Sequence, residues 1–476
     1  MHLSLVWFRS DLRVNDNTAL SVAASRGPVV GVFLGSRTQW RQHGHGPNKI
    51  SFWLRGAAAL GESLAKLNIP LLYRNTEHFD DAPETLLTLA RELGAEALHF
   101  NREYPLNEWH RDEAVIEYFH RSGLKAHAHR DSVAFSPGEL LTGKGDFYSV
   151  FTPFSRAWSR MVDASRLEVL DAPARQQTLE ISSDPPPAVL GADAPETQAS
   201  IERRWPAGEE EAANRLARFL EQRARRYAED RDYPAIQGTS ELSPYLSLGM
   251  ISWRQCMQAV LTINQGHLRD GDAGLTAWVN ELIWREFYQH VCWGFPKVCR
   301  GRAFQQHTEG LEWRDAPNDL AAWCEGRTGY PIVDAAMRQL TTTGWMHNRL
   351  RMVVAMFLSK HLLIDWRHGE AFFMEHLIDG DFAANNGGWQ WAASTGTDAA
   401  PWFRIFNPTT QSQRFDAEGH FIAEWLPELA ELPPRMRHSP STDLVTDAEY
   451  PQPIIEHKTA RQRALDAFKS LTRADN

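Results

Sequence analysis

The sequence contains little cysteine and no long uninterrupted hydrophobic run. Its four cysteines, at positions 256, 292, 299 and 324, form no C-x-x-C pair and no spacing with histidine typical of a metal site, so neither a disulfide framework nor a zinc centre is expected. The N-terminal apolar run is only about six residues long, too short for a signal peptide. The run at 352–366 is interrupted by Lys360 and His361 and is shorter than the ~20 residues of a membrane span. We therefore expect a cytoplasmic protein without an export signal, a membrane span or a metal.

Positive charge is also in short supply. With 50 basic and 60 acidic residues, the net charge is −10, whereas proteins that hold nucleic acid by bulk attraction are usually basic. Any contact with nucleic acid must therefore use a local basic surface. The 476 residues predict two domains. Tryptophan is in excess, with 18 residues, and its ring stacks well on flat ligands and bases.

Apolar runs alternate with helix-like segments in the first third of the chain. The predicted strands lie at 3–8, 29–35, 69–74, 97–100 and 124–129. Between them, segments such as 50–67 and 108–121 have the apolar spacing of helices. The alternation predicts an α/β domain with a Rossmann-like parallel sheet over residues 1–130. No G-x-G-x-x-G follows the first strand, so a conventional dinucleotide site is not expected there.

The rest of the chain changes character twice. Residues 131–204 have a weak apolar period, and the stretch 182–196 is rich in proline, which predicts an extended interdomain linker. Long amphipathic segments then follow up to the C-terminus. They predict an all-α domain over residues 205–476.

One predicted helix, TAWVNELIWREFYQH, places a carboxylate and a guanidinium on a stripe of aromatic rings. The stripe consists of Trp278, Glu281, Trp284 or Arg285, and Tyr288. An aromatic core with one buried ion pair is the simpler interpretation of such a helix taken alone. The alternative is a pocket for a flat, polar ring.

A second predicted helix carries Asn348, Arg351 and Met352 at positions i, i+3 and i+4, so that the three share one face while Arg349 points elsewhere. An amide, a cation and a thioether suit hydrogen bonding to a heterocycle and packing against it. Mixed faces of this kind are also common at domain interfaces, so this motif alone is weak evidence.

The most specific segment is DGDFAANNGGWQW at 379–391. It combines two aspartates, adjacent amides, three glycines and two tryptophans in thirteen residues. Glycine and asparagine are poor helix formers, and buried carboxylates need partners. A protein tolerates such a cost where a ligand supplies those partners.

This segment, together with VWFRSDLRVNDNTAL, RDYPAIQGTSELSPYLSLG, EGRTGYPIVDAAMRQL and RIFNPTTQ, resembles class I DNA photolyases of the cyclobutane pyrimidine dimer type, in the photolyase and cryptochrome family. The resemblance covers nearly the whole chain in order and spacing. It implies a monomeric carbon–carbon lyase that binds FAD and damaged single- or double-stranded DNA. Electron transfer from excited, reduced FAD to a flipped-out pyrimidine dimer would repair the lesion.

The resemblance also implies the FAD contacts. The phosphates and ribose would meet a hydroxyl-rich helix start, formed by Tyr227, Thr239, Ser240, Leu242 and Ser243. The flavin contacts would be Glu281, Asn348, Arg351, Asp379, Asp381 and Asn385. Arg351 and Asp379 would form an ion pair beside the ring, and the amide of Asn385 would face the flavin N5. Capping of the following helix is an alternative role for Asp379 and Asp381.

The same resemblance implies contacts with the lesion. Trp284 and Trp391 would stack on the flipped bases with Met352 beneath them. Glu281 and Asn348 would hydrogen-bond to the base edges, Glu281 as a neutral acid. The remaining DNA contacts would come from Arg285, Arg349 and Arg404, which would supply the localised positive charge that the net charge conceals.

Two further sets match the family. Trp313, Trp366 and Trp389 match the tryptophans that carry an electron from the surface to oxidised flavin, although core packing is the default role of any one of 18 tryptophans. An antenna cleft would hold 5,10-methenyltetrahydrofolate and would be formed by His43, Asn107, Glu108, Cys299 and Arg300. Position 300 is commonly lysine in folate-bearing relatives, and the two cations are not interchangeable. A deazaflavin antenna or an empty cleft stays open.

Two rival functions are disfavoured by particular residues. A cryptochrome photoreceptor is the first rival, but its plant-type members often carry aspartate where this chain has Asn385. Signalling members also usually append a long tail, whereas this chain ends about twenty residues after EHKTARQRAL begins. The second rival, the (6-4) photoproduct branch, has histidines where this chain has Asn348 and Met352. Repair of cyclobutane dimers is therefore the expected activity.

Overall fold

The computed structural model describes residues 2–184, 186, 196–440 and 450–474, without the side chains of 196–197 and 472–474. The proline-rich stretch at 182–196, which the sequence predicts to be extended, lies largely outside these residues.

The secondary structure follows the chain in a simple order. The strands are β1 (Ser4–Phe8), β2 (Val29–Ser36), β3 (Leu71–Thr76), β4 (Ala97–Asn101) and β5 (Lys125–His129). The helices up to residue 225 are α1 (Thr18–Ala24), α2 (Arg37–Gln42), α3 (Pro47–Lys66), α4 (Ala82–Leu93), α5 (Leu106–Arg121), α6 (Phe151–Met161), α7 (Ala164–Leu167), α8 (Glu196–Arg204) and α9 (Glu209–Gln222). The helices after residue 225 are α10 (Tyr227–Asp230), α11 (Ser243–Ser247), α12 (Trp253–Ile263), α13 (Ala273–Gly294), α14 (Pro317–Cys324), α15 (Pro331–Thr343), α16 (Asn348–Met356), α17 (Trp366–His376), α18 (Phe382–Ala393), α19 (Pro408–Phe415), α20 (His420–Trp425), α21 (Pro434–Arg437) and α22 (His457–Ala474).

The chain forms two compact units, of which the first contains residues 1–225 and 240–296. Its sheet has the order β3-β2-β1-β4-β5, and every pair of neighbouring strands is parallel. All side chains of β1 and β2 are buried. Parallel strands buried on both faces appear as continuous apolar runs rather than alternating ones. The five predicted strands and the α/β class are confirmed.

The segment 131–204 differs in part from the extended linker that the sequence predicts. It forms α6, α7 and α8, and α6 buries Phe151, Phe154 and Trp158. Their spacing of three and four residues is a helical apolar face within a segment whose overall period is weak. The predicted domain boundaries at 130 and 204 stay a prediction, because the two compact units are not contiguous in sequence.

A buried charge cluster holds α12 within the first unit. The carboxylate of Asp131 accepts hydrogen bonds from Arg13 at 2.5 Å and from Arg254 at 2.7 Å. Arg254 also pairs with Asp16 at 2.9 Å. Burial acts to raise the pKa of Asp131, but the two arginines outweigh it and hold the pKa well below its usual range. Each charge in this cluster has a partner, as buried ions require.

The second unit contains residues 226–239 and 297–476, and its described secondary structure is helical. The predicted all-α class of this region is confirmed. Helices α15 and α16 are separated at Gly344, which ends α15 with a φ of +69°, a left-handed conformation that glycine adopts readily. After α16 the chain makes a π-helical turn, Phe357–His361. Among the described helices, none is long and apolar enough to cross a membrane.

Candidate functional site

Helix α16 presents a polar, accessible face within the second unit. Its N-cap is His347, whose Nδ1 accepts from the backbone N–H of Arg349 at 3.2 Å. Asn348 is exposed, while Arg351 and Met352 are half-buried. The opposite face packs into the core through Leu350, Val353 and Val354. The amide, guanidinium and thioether that the sequence analysis grouped therefore belong to the accessible side of the helix.

Arg351 is held by two acceptors. Its Nη2 donates to Asp379 Oδ2 at 2.8 Å, and its Nε donates to the carbonyl of Met346 at 2.8 Å. The side chain of Asp379 is 2% exposed and that of Arg351 is 26% exposed. A nearly buried carboxylate with a partly open guanidinium leaves positive charge facing an accessible space. This arrangement suits an electron-rich, polar ligand.

His347 is a neighbouring residue that the sequence analysis did not select. Burial lowers its pKa to about 4, with Arg349 and Arg351 acting in the same direction. Because Nδ1 accepts a hydrogen bond, the neutral ring carries its proton on Nε2. Within the described part of the chain Nε2 has no hydrogen-bond partner. The sequence did not indicate this unpaired N–H, because a single histidine before a helix is usually interpreted as a helix cap.

The segment 379–391 forms the start and body of α18. Asp381 is the N-cap of this helix and accepts from the N–H of Ala384 at 2.9 Å. Asp379 instead pairs with Arg351, so the capping role proposed for both aspartates applies in this structure to Asp381. The amide of Asn385 donates from Nδ2 to the carbonyl of Glu370 at 3.0 Å. This bond fixes the orientation of the Asn385 amide.

A buried polar chain continues from Glu370, which the sequence analysis also did not select. Its carboxylate accepts from Asn386 Nδ2 at 2.8 Å. Asn386 Oδ1 accepts from Gln390 Nε2 at 3.0 Å, and Gln390 Oε1 accepts from the N–H of Phe304 at 2.8 Å. Burial raises the pKa of Glu370 to about 7. The amides of the NN pair thus have different partners, the Glu370 backbone and the Glu370 side chain.

The tryptophans of the second unit differ in burial. Trp389 is buried and packs edge-on against Trp323 at 6.0 Å and Phe373 at 5.0 Å between ring centroids. A Cβ at Gly369 would lie 2.0 Å from the Trp389 ring, so only glycine permits this approach of α17 to α18. Trp366 is fully buried. Trp313 and Trp391 are partly buried against the same core.

The arginines expected to contact DNA have different environments. Arg349 donates to Asp232 at 2.6 Å and lies over the Phe415 ring at 4.5 Å. Arg404 is exposed. In the first unit, Arg285 donates to the carbonyls of Ser132 at 3.0 Å and Leu246 at 3.3 Å. Arg285 therefore already has protein acceptors, and its DNA contact stays a prediction, as do the other two.

The first unit carries the predicted aromatic stripe on α13. Trp278 is buried, while Glu281, Trp284 and Tyr288 are half-buried. Phe151 stacks on Trp284 with a centroid separation of 3.7 Å and an interplanar angle of 7°. One face of the Trp284 ring is therefore covered by Phe151. The stripe is not a fully buried core.

Some of the residues expected to hold the FAD phosphates lie in the second unit and others in the first. Tyr227 is buried, with the Arg231 guanidinium 5.2 Å from its ring centroid, and both belong to the second unit, as does Thr239. Leu242 and Ser243 belong to the first unit, where Ser243 begins the short helix α11. In the same unit, Ser240 Oγ accepts from the N–H of Leu242 at 3.4 Å. Their cofactor contacts stay a prediction.

Three of the predicted antenna residues meet in the first unit. His43 Nε2 lies 2.9 Å from Asn107 Nδ2 and 3.0 Å from Gln39 Nε2, and His43 Nδ1 lies 3.3 Å from Glu108. Two amides donating to Nε2 favour a proton on Nδ1, which then faces the carboxylate. Cys299 and Arg300 lie in a 3₁₀ turn of the second unit. Among the described residues, no group of three or more potential ligands is arranged to hold a metal.

The donor set of the second unit fits a flavin. It offers a paired guanidinium, an oriented amide and a buried imidazole N–H without a protein partner. A flavin ring presents carbonyl oxygens and ring nitrogens along one edge, which such donors match. Arg351, Asp379, Asp381 and Asn385 are the residues that could hold it.

Comparisons with known proteins agree with this chemistry. A family model described as DNA photolyase matches residues 4–175, and one described as the FAD binding domain of DNA photolyase matches residues 278–470. A deoxyribodipyrimidine photo-lyase of Escherichia coli (strain K12) is 44% identical over 475 residues, with 99% of each chain covered.

Solved structures with the same fold come from two branches. A bacterial class III photolyase from Agrobacterium tumefaciens has a TM-score of 0.91 and 34% identity, and the match covers 99% of this chain and 98% of that one. A cryptochrome from Synechocystis sp. PCC6803 has a TM-score of 0.85 and 28% identity, with 98% and 99% covered. The chain thus belongs to the DNA photolyase family and is a lyase of that family with an FAD-binding domain.

Proposed function

We propose that this protein repairs cyclobutane pyrimidine dimers in DNA in a light-dependent reaction of bound FAD. The observation that carries the proposal is the accessible face of α16, where Asn348 and Met352 flank an arginine paired with Asp379. The naming of the Escherichia coli relative as a deoxyribodipyrimidine photo-lyase supports it. We propose that the protein acts as a monomer in the cytoplasm.

The cofactor supplies the hard chemistry, because reduced FAD excited by light can give an electron to the dimer. The protein binds and orients. Arg351 and Asn385 present donors whose directions are fixed by Asp379 and by the Glu370 carbonyl. Groups that are already oriented need no rearrangement during the reaction.

The dimer has to leave the duplex to be repaired, which costs a few kcal/mol, less for a poorly stacked lesion. We propose that Trp284 offsets part of this cost by stacking on a flipped base through the ring face that Phe151 does not cover. Trp391 and Met352 are the other proposed packing contacts. Glu281 and Asn348 are the proposed hydrogen-bonding contacts with the base edges.

Phosphate contacts position the protein without reading sequence. Arg404 is exposed and therefore available to a phosphate. Arg349 is oriented by Asp232 and by the Phe415 ring, so a phosphate would have to share its guanidinium. We propose Arg404 as the stronger of the two contacts, with Arg285 contributing least because its donors have backbone acceptors.

For the antenna we propose 5,10-methenyltetrahydrofolate, with His43, Asn107 and Glu108 as contacts. The hydrogen bonding among these three side chains supports a preformed polar site. Absorbance of the purified protein in the near ultraviolet, lost on removal of folate, tests this. An absorption spectrum typical of a deazaflavin would contradict folate and identify a deazaflavin as the antenna.

The decisive experiment uses an oligonucleotide with a single thymine dimer. Purified protein with bound, reduced flavin should convert it to intact thymines under blue light and leave it unchanged in the dark. A matched oligonucleotide with a (6-4) photoproduct is the specificity control. Bound flavin without conversion of either lesion would favour a cryptochrome-type photoreceptor, the alternative that the Synechocystis structure keeps in view. Purified protein that retains no flavin would remove both functions.

A further inference from the structure

Lys360 is the most deeply buried lysine of the described chain that no proposed step uses. It lies in the π-helical turn Phe357–His361 and is 0% exposed. Its Nζ donates to Ser394 Oγ at 2.8 Å and to the carbonyl of Arg404 at 2.9 Å. The Phe468 ring lies 6.0 Å away. Turns of π-helix inside helical segments occur frequently at functional sites.

A buried ammonium without a counter-ion is costly to a fold. No carboxylate of the described residues forms an ion pair with Lys360, and burial, aided by Arg404, lowers its pKa to about 7. A methionine in this place would fill similar volume without the desolvation cost. Proteins keep such a costly group where a particular backbone conformation depends on it.

Both acceptors of Lys360 belong to the loop at 394–407, which connects α18 and α19. Ser394 begins the loop and Arg404 stands near its end, so one amine ties its two halves together. The Ser394 hydroxyl in turn donates to the carbonyl of Ala400 at 2.6 Å. The backbone conformation of the loop therefore depends on hydrogen bonds that Lys360 donates.

The 394–407 loop, whose backbone Lys360 holds, presents two side chains to solvent. Arg404 is exposed, and Phe403 beside it is 59% exposed. Trp402 faces inward and stacks on Phe468 with an interplanar angle of 16°. The loop thus displays a cation and an aromatic ring side by side from a backbone that is fixed underneath.

We infer that Lys360 is a positioning residue for DNA binding, which fixes the 394–407 loop from inside the fold so that Arg404 meets the phosphate beside the lesion without prior ordering. This inference rests on the proposed function. A loop that is ordered before binding loses no conformational entropy when DNA binds, so affinity rises without any new contact. Lys360 itself touches neither DNA nor cofactor.

The first test compares Lys360→Met with Lys66→Met. Both variants replace a lysine by methionine, but Lys66 is exposed at the end of α3 in the first unit. Dissociation constants for a duplex with one thymine dimer are measured in the dark by fluorescence anisotropy. We expect roughly tenfold weaker binding for Lys360→Met, equivalent to ordering one or two side chains, and unchanged binding for Lys66→Met.

Two further readouts separate positioning from a general structural role. Flavin content and the rate of repair of the bound dimer should be unchanged in Lys360→Met, so that KM rises while kcat stays the same. Equal affinity of Lys360→Met and the parent would overturn the inference. So would a loss of flavin or of kcat, since Lys360 would then act on the flavin site. If the parent protein itself fails to bind the dimer, the proposed function falls and the inference falls with it.

A second variant keeps the test valid if Lys360→Met does not fold. Ser394 has a φ of +62°, which glycine adopts without strain, so Ser394→Gly removes an acceptor of Lys360 while relaxing the backbone. Gln265→Gly is the control, because Gln265 is exposed in the first unit with a φ of +55°. Weaker dimer binding in Ser394→Gly alone supports the positioning role of Lys360, and equal binding in both variants contradicts that role.

Discussion

The guanidinium of Arg351 and the carboxylate of Asp379 are 2.8 Å apart. Arg351 is on α16, whereas Asp379 lies in the short connection that leads into α18. The pair therefore links the accessible face of α16 to the segment that carries Asp381 and Asn385. Because the carboxylate is nearly buried and the guanidinium is not, the pair directs its positive end outward.

Replacement of Asp379 by asparagine should weaken FAD retention. The change leaves Arg351 without its charged partner, and breaking a largely buried pair costs about 3 kcal/mol at most where one member is partly exposed. We expect roughly tenfold weaker FAD binding, read from the ratio of flavin to protein absorbance after gel filtration at several dilutions. Glu117→Gln is the control, because Glu117 and Arg121 form an exposed pair on α5. Equal flavin loss in both variants would show that the Arg351 pair does not hold the cofactor.

Glu370 should make stability fall as pH rises from about 4.5 to about 7. Burial raises its pKa from 4.5 to about 7, so in this window the folded protein keeps a proton that the unfolded chain has released. Folding is then favoured at the acid end, and the contribution is lost as pH rises through 7. Glu370→Gln should reduce the slope by up to ~1.4 kcal/mol per pH unit, measured by urea unfolding. Parallel pH profiles for the two proteins would contradict the assignment.

Local patterns predicted the elements, because strands and helices depend on residues that are near in sequence. The five strands appear where apolar runs predict them, and Asn348, Arg351 and Met352 lie on a helix, α16, as their spacing indicates. The helix boundary at Gly344 was also readable in principle, since glycine after an apolar helical stretch is a common stop signal.

Non-local contacts were beyond the reach of the sequence. Lys360 looks like an interruption of an apolar run, and only the fold brings it to Ser394 and Arg404. Glu370 looks like a surface residue of an amphipathic helix until Asn386 is seen against it. Helix α6 was missed for a different reason, because its short apolar face lies in a segment, 131–204, whose overall apolar period is weak.

Trp366 and Trp323 separate electron transfer from packing. Both are fully buried in the same core, so Phe substitution should cost similar stability, ~1 to 3 kcal/mol. If Trp366 belongs to the electron route that the family resemblance implies, Trp366→Phe should abolish blue-light bleaching of oxidised flavin in the presence of a thiol donor. Trp323→Phe should retain it, although Trp323 contacts Trp389. Bleaching that survives in Trp366→Phe would remove this residue from the route.

Asp131 should be among the most sensitive positions of the first unit. Asp131→Asn leaves Arg13 and Arg254 buried without their shared carboxylate, which should cost about 3 to 5 kcal/mol. The pKa of Asp131 is lowered in the fold, so its stabilisation is complete above the usual aspartate range and is lost as pH falls through the folded pKa. Urea unfolding near neutral pH measures the loss, again against Glu117→Gln. A difference below ~1 kcal/mol would mean that water replaces the carboxylate.

Because Lys360 is buried, the unfolding free energy of the protein should rise as pH rises above 7. Burial lowers its pKa from 10.5 to about 7, so between these values the unfolded chain binds a proton that the folded protein does not. Stability then rises with pH across this window, by up to ~1.4 kcal/mol per unit, and the desolvation penalty is complete below about pH 7. Lys360→Met has no such group, so its unfolding free energy should exceed that of the parent most at about pH 6, and the difference should shrink towards about pH 10. Lys66→Met should follow the parent throughout. A constant difference between the Lys360→Met and parent profiles would mean that the buried amine keeps its proton, and that the 394–407 loop is held by an ammonium over the whole range.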